Sequence, residues 1–394
     1  MSNLARDAQT THPSSRRVMI VLCATAVFLY WIALYLYVPT LPTYVASKTD
    51  NLALVGVVLS MYGLWQALVR LPVGIAADWV GRRKPFIIVG FGLAALGAWL
   101  MGTAQEVNGL LVGRAVTGLA AGTWVPLVVL FSSLFPPEEA VRASSLLTLV
   151  GSVGRLLATS LTGSLNELGG YPLAFFGAAG AAILAILIIL PSREKVRPPK
   201  TPSVRQIGRL IARRDVLLPS LLSVVAQYAN FGATFGFIPI LAKSLGATGV
   251  ELSILASIHM GVSTVGNLTA TIAAKRIGAR RIVILAFLLL CGAIAGASIA
   301  PSVYVLFAVQ FCIGLAMGTV YPVLMGLSIR YVDDSERTTA MGLHQAIYAI
   351  GMFGGPAASG VIANALGIRP MFLLTAVVCL GLGLLGVRWL VKDS

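Results

Sequence analysis

Twelve stretches of apolar residues follow one another along the chain, each long enough to cross a bilayer as a helix. About 20 apolar residues in a helix span a hydrocarbon core of about 30 Å. The stretches are continuous rather than alternating, so they predict helices and not the strands of a barrel. The predicted spans are 18–38, 52–77, 85–104, 109–131, 144–168, 173–190, 216–241, 250–274, 282–300, 303–329, 340–366 and 371–389.

The polar residues between these spans carry an uneven distribution of charge. Of the 29 Lys and Arg residues, 23 fall on one side of the predicted membrane, counting Arg388 at the inner end of the last span, three in the opposite loops and three well inside spans. Because Lys and Arg concentrate in cytoplasmic loops, this bias predicts that both termini are cytoplasmic. The first span is too long for the apolar region of a signal peptide, so we expect it to be retained.

The composition agrees with this pattern. Hydrophobic residues make up 57% of the chain and charged residues 11%, against about 25% charged in soluble proteins. The net charge of +15 follows from the cytoplasmic loops, and we therefore expect no nucleic-acid partner. The four cysteines all lie in predicted spans without metal-ligand spacing, which predicts packing roles and no metal site.

One connector, residues 191–215, is long and polar, and it divides the chain into bundles 18–190 and 216–390 with tails 1–17 and 391–394. Its prolines predict an extended start. Its end has an apolar helical face and a basic one, formed by Val204, Ile207 and Ile211 and by Arg205, Arg209 and Arg213. This pattern predicts an amphipathic helix lying on anionic lipid headgroups; a solvated basic linker is the alternative.

The two bundles repeat each other in sequence. Residues 118–126 of the fourth span read Gly-Leu-Ala-x-Gly-Thr-x-x-Pro, and the same pattern recurs at 314–322 in the tenth span. A weaker match relates the loops after the second and eighth spans. A parallel repeat of this kind places substrate between the halves, near the middle of the membrane.

The loop after the second span resembles the signature loop of the major facilitator superfamily, although Trp79 stands where that family usually has Arg. The matching residues are Gly74, Asp78, Gly81, Arg82 and Arg83, followed by Lys84. The resemblance implies the fold of that family, an all-α integral membrane protein with twelve transmembrane helices in two pseudo-symmetric six-helix bundles. It also implies that this loop latches the halves together on the cytoplasmic side when the outside is open. The basic residues are alternatively only an orientation signal.

The stretch Arg114-x-x-x-Gly118-x-x-x-Gly122 in the fourth span resembles a second signature of the family, one that is typical of its proton-driven exporters. The glycine-proline motif of the antiporters is absent from the fifth span, but a similar stretch appears in the eleventh. The glycines of both spans and of the repeat predict close helix packing, or a gate surface that slides. These residues are Gly118, Gly122, Gly314, Gly318, Gly351, Gly355 and Pro356.

Three arginines, Arg70, Arg114 and Arg155, lie well inside predicted spans, and no carboxylate does, because Glu167 and Glu251 are at the outer ends of their spans. An arginine in the membrane is costly unless it is paired or faces water. The absence of acidic residues argues against a site for cationic drugs and favours an anionic or amphipathic substrate paired to Arg155 or Arg114. Arg70 alternatively extends its side chain to the inner surface.

Other polar and aromatic residues of the spans are candidates for the central cavity, where aromatic side chains with polar tips suit amphipathic ligands. Each is alternatively a packing residue or part of an interfacial belt. The candidates are Tyr30, Tyr35, Trp124, Gln227, Asn230 and Tyr321, with Trp31 and Tyr228 beside them.

His259 and His344 are the histidines of the spans, and only these side chains or Asp78 are placed to couple transport to protons. Each histidine is alternatively a hydrogen-bonded packing residue. The chain shows no catalytic constellation and no cofactor motif in a suitable context, so we expect no enzyme and no cofactor.

These observations predict a secondary transporter that works by alternating access, a monomer in the cytoplasmic (inner) membrane in contact with lipids. The leading hypothesis is efflux of amphipathic or anionic small molecules, with or without exchange for protons. The alternatives are a facilitator or proton-coupled importer of an organic anion or metabolite, and a sensor with the same fold that does not transport.

Overall fold

The computed structural model describes residues 13–192, 194, 204–333 and 336–390, which form helices and their connecting turns. Most of the predicted tail 1–17, the tail 391–394 and the proline-rich start of the linker lie outside the described residues. The helices are Pro13–Tyr35 (α1), Leu41–Ala46 (α2), Leu52–Val80 (α3), Lys84–Thr103 (α4), Val107–Gly122 (α5), Trp124–Ser132 (α6), Ala140–Ile189 (α7), Val204–Ala212 (α8), Arg214–Gly232 (α9), Ile238–Ser244 (α10), Gly249–Ile277 (α11), Ala279–Ser298 (α12), Val303–Ile329 (α13), Arg337–Leu366 (α14) and Ile368–Arg388 (α15).

The 50-residue element α7 contains two spans, because its backbone leaves the helical conformation at Gly169 and Gly170. Gly170 has φ +69°, a conformation that favours glycine. The chain reverses there: Thr162 Oγ1 donates to the Leu36 carbonyl at 2.7 Å, and Gly177 also faces the Leu36 side chain. In a straight helix Thr162 and Gly177 would be about 22 Å apart, whereas here both residues contact Leu36. The prediction of separate fifth and sixth spans agrees with this reversal.

Two predicted spans are present as single spans, Val107–Ser132 and Arg214–Ser244, but each contains a break in its regular helix. The fourth divides into α5 and α6 at Thr123, and the seventh contains a π-helical turn, Ala233–Phe237, before α10. In each case a proline follows, Pro126 or Pro239. Proline has no N–H to donate to the carbonyl four residues earlier, so the regular helical hydrogen bonding changes at that point.

The helices form two bundles that correspond to the two sequence repeats. In the N-terminal half α1 packs on α7 and α4 on both α5 and α7, while in the C-terminal half α11 packs on α13 and α9 on α14. Each half has its own apolar core. The halves meet along two long helix pairs, α3 with α14 and α7 with α11. This arrangement confirms the predicted all-helical fold.

The helix at the end of the linker, α8, docks on the C-terminal half. Leu210 is completely buried in a small apolar cluster that includes Val332 and Leu343, and Arg209 Nη2 lies 2.6 Å from Glu336 Oε1. Ile211, predicted to belong to the apolar face, is 43% exposed. The buried face is therefore centred on Leu210, because the linker helix packs against protein on this side.

Candidate substrate-binding site

Arg155 lies in an aromatic cage at the middle of the first span of α7. Its guanidinium carbon is 4.4 Å from the centroid of the Trp31 ring and 6.0 Å from that of Tyr35. Its Nη2 donates to Ser152 Oγ at 3.2 Å. Trp31 and Tyr35 are one turn apart on α1 and so share a face. Cation–π contacts of this type hold the guanidinium in place without neutralising its charge.

The aromatic surface extends from the cage in both directions. Trp124 contacts Trp31 edge-on, with ring centroids 4.9 Å apart, and it stacks on Tyr30 at 5.9 Å. Tyr35 contacts Phe235 of the C-terminal half, centroid to centroid, at 6.4 Å. Tyr30 itself is buried in the N-terminal bundle. The cage is therefore next to the interface between the halves.

Arg70 joins the two halves directly. Its Nη1 donates to the Tyr348 hydroxyl at 3.0 Å, and the Tyr348 ring contacts Tyr321 edge-on at 5.6 Å. Arg70 is 4% exposed and its Nε has no hydrogen-bond partner among the described residues. The side chain thus lies between α3 and α14 rather than extending to the inner surface.

Arg114 has different surroundings from the other two arginines. It lies within the N-terminal half, 5% exposed, with its guanidinium carbon 4.3 Å from the centroid of the Tyr62 ring. Its Nε and Nη1 have no hydrogen-bond partner among the described residues. Of the three arginines, only Arg155 is partly exposed.

Polar side chains of α9 form a buried row. Gln227 and Asn230 are one turn apart and both buried, and their side-chain oxygens lack hydrogen-bond partners within the described part of the chain. Further along the same face, the Thr234 hydroxyl donates to Gln310 Oε1 at 3.1 Å. The described contacts place neither amide against the Arg155 cage.

The candidates for proton coupling differ in how they are held. His344 lies between two serines of α9, with Nδ1 at 2.9 Å from Ser220 Oγ and Nε2 at 3.3 Å from Ser223 Oγ. The Ser220 hydroxyl already donates to the Val216 carbonyl, so it accepts from Nδ1 and a neutral ring satisfies both serines. His259 is buried, and its Nδ1 has no partner among the described residues.

The signature loop is folded back on its own half. Gly81 ends α3 with φ +70°, and Asp78 Oδ1 accepts from Arg83 Nη2 at 2.5 Å. Glu194 of the linker accepts from the backbone N–H groups of Arg83 and Lys84 at 2.6 and 2.9 Å, and so caps the start of α4. These contacts join the signature loop to its own half and to the linker.

The glycines of the predicted packing motifs lie where helix backbones approach closely. A side chain on any of the six would come within 3.0 Å of atoms of another helix, most of them backbone. Pro356 lies inside α14, and its carbonyl faces Gly56 of α3. The six glycines are Gly118, Gly122, Gly314, Gly318, Gly351 and Gly355.

Backbone contacts also close the interface between the halves on the side predicted to be outside. Gly56 meets Gly360 where α3 crosses α14, and Gly163 meets Gly249 where α7 crosses α11. Ser253 Oγ accepts from the Gly163 N–H at 2.6 Å. Both helix pairs are thus in close contact near the ends predicted to be outside.

Several residues of these sites were not predicted. Tyr348, Tyr62 and Phe235 were not distinguished from packing aromatics, because only the fold shows what they face. Glu194 belongs to the linker and gave no sequence signal. Among the described residues, no group of three or more His, Cys, Asp or Glu side chains is arranged to hold a metal ion.

Two helical bundles related by a parallel repeat, with polar and aromatic residues at their interface, define a secondary transporter. A family model described as Major Facilitator Superfamily matches residues 23–225 and 220–394. The chain therefore belongs to the Major Facilitator Superfamily, and it is a multi-pass membrane transporter of small molecules.

Individual relatives are distant but cover nearly the whole chain. Multidrug resistance protein MdtG of Enterobacter lignolyticus (strain SCF1) is 27% identical over 370 residues, covering 90% of this chain and 87% of that protein. MdtG of Citrobacter koseri is 26% identical, covering 90% of each.

Solved structures share the fold at lower identity. A bacterial homolog of the human lysosomal transporter Spinster, inward-facing and unoccupied, superposes with a TM-score of 0.79 at 16% identity, covering 97% of this chain and 98% of that one. The human organic anion transporter MFSD10 gives a TM-score of 0.69 at 19% identity, covering 95% and 99%. The nucleoside transporter NupG gives 0.75 at 16%, covering 95% and 100%.

Proposed function

We propose that this protein exports anionic amphipathic small molecules across the inner membrane, acting as a monomer, and that Arg155 binds the anionic group. The observation that carries the proposal is the cage of Trp31 and Tyr35 around a partly exposed arginine in the middle of a span. A guanidinium offers five N–H donors, and only the bond to Ser152 uses one of them in the described contacts of the cage. Donors therefore remain for a ligand.

The distribution of acidic residues supports an anionic ligand. Among the described residues, every Asp and Glu lies in a connector, within a few residues of a helix end or, for Glu167, beside the break in α7 at Gly169, and none lies near Arg155 in the chain. A buried carboxylate would be needed to bind a cation in this environment. An anion instead neutralises an arginine that is otherwise costly to hold in the membrane.

The aromatic surface supports a substrate with a broad apolar part. Trp31, Trp124 and Tyr35 present ring faces and edges beside the guanidinium. Such rings contact apolar groups of varied shape at small conformational cost. The substrate is thus expected to combine one negative charge with an aromatic or aliphatic body.

The direction of transport rests on two supports. The relatives matched over most of the chain are named as multidrug resistance proteins, which favours efflux. The close contacts at Gly56 and Gly163 close the predicted outer side. An exporter binds its substrate from the cytoplasm in a conformation that is closed in this way. Opening of this seal then releases the substrate.

We further propose that export is exchanged for protons through His259. Its Nδ1 lacks a hydrogen-bond partner within the described residues, and its ring contacts Phe235, which also contacts Tyr35 of the cage. His344 is held by two serines, and Asp78 is paired with Arg83. These two are therefore weaker candidates.

Ligand binding to purified protein tests the charge preference. A naphthalenesulfonate should stabilise the protein against heat, whereas a naphthylmethyl ammonium of similar size should not. Arg155→Met should weaken binding of the anion by about 10- to 100-fold, the range for a hydrogen bond to a charged group. Arg142→Met on the same helix is the matched control, since the Arg142 side chain is 75% exposed. Equal affinity for anion and cation, or unchanged affinity in Arg155→Met, would overturn the proposal.

A further inference from the structure

A groove of about 530 Å³ lies between α11 and α13 in the C-terminal half. Gly261 and its neighbours on α11 form one wall, and Phe307, Ala308 and Phe311 of α13 form the other. Phe307 and Phe311 are one turn apart, so their rings lie on the same side of the helix. Pockets that hold small ligands have volumes of about 300–1,000 Å³, and this groove is therefore large enough to bind one.

The groove opens toward the membrane lipid. Both of its helices are long and apolar enough to span the membrane. Ile254 and Val265, which share the helix face of Gly261 on α11, are exposed, and so is Phe311 on α13. Exposed apolar side chains in the middle of a spanning helix face lipid. The Arg155 cage is formed by other helices, α1 and α7, so the groove is a separate site.

Close packing of the two helices at one level produces the groove at the next. A side chain at Gly314 would lie 2.8 Å from the His259 carbonyl oxygen, so α11 and α13 are in backbone contact there. Nearer the predicted outer ends of both helices, the small residues Gly261 and Ala308 leave the space between the helices unfilled. The groove therefore follows from the sequence of small residues along the two helices.

The depth of the groove corresponds to the acyl chains of one leaflet. Tyr304, one turn before the groove on α13, is exposed, and its ring contacts Phe307 edge-on with centroids 6.0 Å apart. An exposed tyrosine near a helix end is typical of the membrane–water interface. From Tyr304 to Cys312, the last residue of the groove, the helix rises about 12 Å. This distance is within one leaflet, which is half of a hydrocarbon core of about 30 Å.

The groove also reaches the contact between the two halves. Ser257, which lines it, has its Oγ 3.1 Å from Thr159 Oγ1 and 3.0 Å from Ser160 Oγ of α7. Both α7 hydroxyls donate to the Leu156 carbonyl, so the Ser257 hydroxyl is the donor to one of them. A side chain at Gly261 would lie 3.9 Å from Leu156 Cδ1. An occupant of the groove therefore lies beside the packing of α11 on α7.

The chemistry and width of the groove select its occupant. Among the described residues that line it, Ser257 alone carries a hydroxyl, whereas an ordered water needs about two to four polar partners. A helix is about 10–12 Å wide with its side chains, and the axes of packed helices are only about 8–10 Å apart, so a helix of a second copy does not enter. A hydrocarbon chain is both apolar and narrow enough.

We propose that this groove binds one acyl chain of a phospholipid from the leaflet predicted to be outer. The chain gains no transfer energy from the groove, because the surrounding lipid is equally apolar. It gains van der Waals contacts with protein on several sides, and the lining residues recover contacts that an unfilled groove would lack. A chain in the groove therefore dissociates more slowly than chains that lie on the convex surfaces of the helices. The site does not depend on the proposed substrate.

Native mass spectrometry of protein purified in mild detergent tests this site. Wild type should retain one phospholipid after washing that removes the other lipids. Gly261→Leu fills the groove and should lose this phospholipid; a Cβ atom there has no neighbour closer than 3.9 Å, so the helix packing is kept. Gly292→Leu is the matched control, because Gly292 is exposed on the spanning helix α12 and has open space around it. Ala308→Leu fills the groove from α13 and covers the case in which Gly261→Leu does not fold.

Photolabelling locates the bound chain. In liposomes that contain a phospholipid with a diazirine in its acyl chain, wild type should be labelled mainly at residues 257–262 and 307–312, and Gly261→Leu should lose this labelling. Equal labelling of all lipid-facing helices would overturn the proposal, as would retention of the phospholipid by both filled variants or its absence from wild type.

Two further results would assign the groove to another occupant and so contradict the proposal. One is weaker binding of naphthalenesulfonate by Gly261→Leu while the phospholipid is retained, which would identify the groove as part of the substrate site. The other is a dimer in the wild-type mass spectrum that dissociates in Gly261→Leu, which would identify a second copy of the chain.

Discussion

The outer seal provides a direct test of the alternating-access geometry. A methyl group added at Gly56 would lie 2.8 Å from the Gly360 Cα and closer still to the Pro356 carbonyl oxygen. Both neighbours are backbone, so neither can rotate away. Ordinary contacts of a Cβ atom are 3.4–4 Å, and α3 and α14 must therefore separate by about 1 Å in Gly56→Ala.

This separation raises the free energy only of the conformation in which α3 and α14 are in contact at Gly56. Overpacking at a close contact costs about 1–3 kcal/mol, which corresponds to a shift of about 5- to 150-fold in the ratio of sealed to open protein. The assay is a spin-label distance measurement between Ser47→Cys and Lys243→Cys in protein without its native cysteines. The two positions are exposed and belong to different halves, on the side predicted to be outside. Gly56→Ala should move population from the short to the long distance.

Gly92→Ala is the matched control, because Gly92 also lies in a spanning helix but has open space where the methyl group would go. Its distance distribution should equal that of the parent protein. A folded Gly56→Ala protein with an unchanged distribution would refute the conclusion that this contact seals the outer side.

Other contacts give further predictions. Tyr348→Phe removes the hydrogen bond from Arg70 across the halves and should lower the unfolding free energy by about 1.5–3 kcal/mol; an unchanged denaturation midpoint would show that the bond contributes nothing. Glu194→Gln weakens the cap of α4 and should cost about 1 kcal/mol, measured in the same way. Leu210→Asp places a charge in the buried cluster under α8 and should expose the linker to limited proteolysis, whereas equal cleavage rates would contradict docking.

The sequence was sufficient to predict the number and order of the spans, because a helix in lipid needs a long apolar stretch and little else. The break between the fifth and sixth spans coincides with Gly169 and Gly170, whose conformational freedom marks a turn. The interruptions before Pro126 and Pro239 were missed, although the prolines themselves are visible. Pro322, at the repeat position of Pro126, lies inside a continuous helix, so proline alone does not decide whether a helix divides.

The pairing of the site residues could not be predicted. Arg70 and Tyr348 are 278 residues apart in the chain, and their contact depends on how two bundles meet. The cage around Arg155 likewise requires α1 and α7 to pack with one particular rotation. Intramembrane charge identified the three arginines as unusual, but only the fold distinguishes the partly exposed Arg155 from the buried Arg114.

The central claim is that Arg155 binds the anionic group of a substrate that the protein transports by alternating access. Counterflow in proteoliposomes measures it: vesicles loaded with unlabelled naphthalenesulfonate should accumulate the labelled compound when they contain wild type or Arg142→Met, and should fail to do so with Arg155→Met. Equal accumulation by Arg155→Met and wild type, with the same amount of folded protein in the vesicles, would contradict the account.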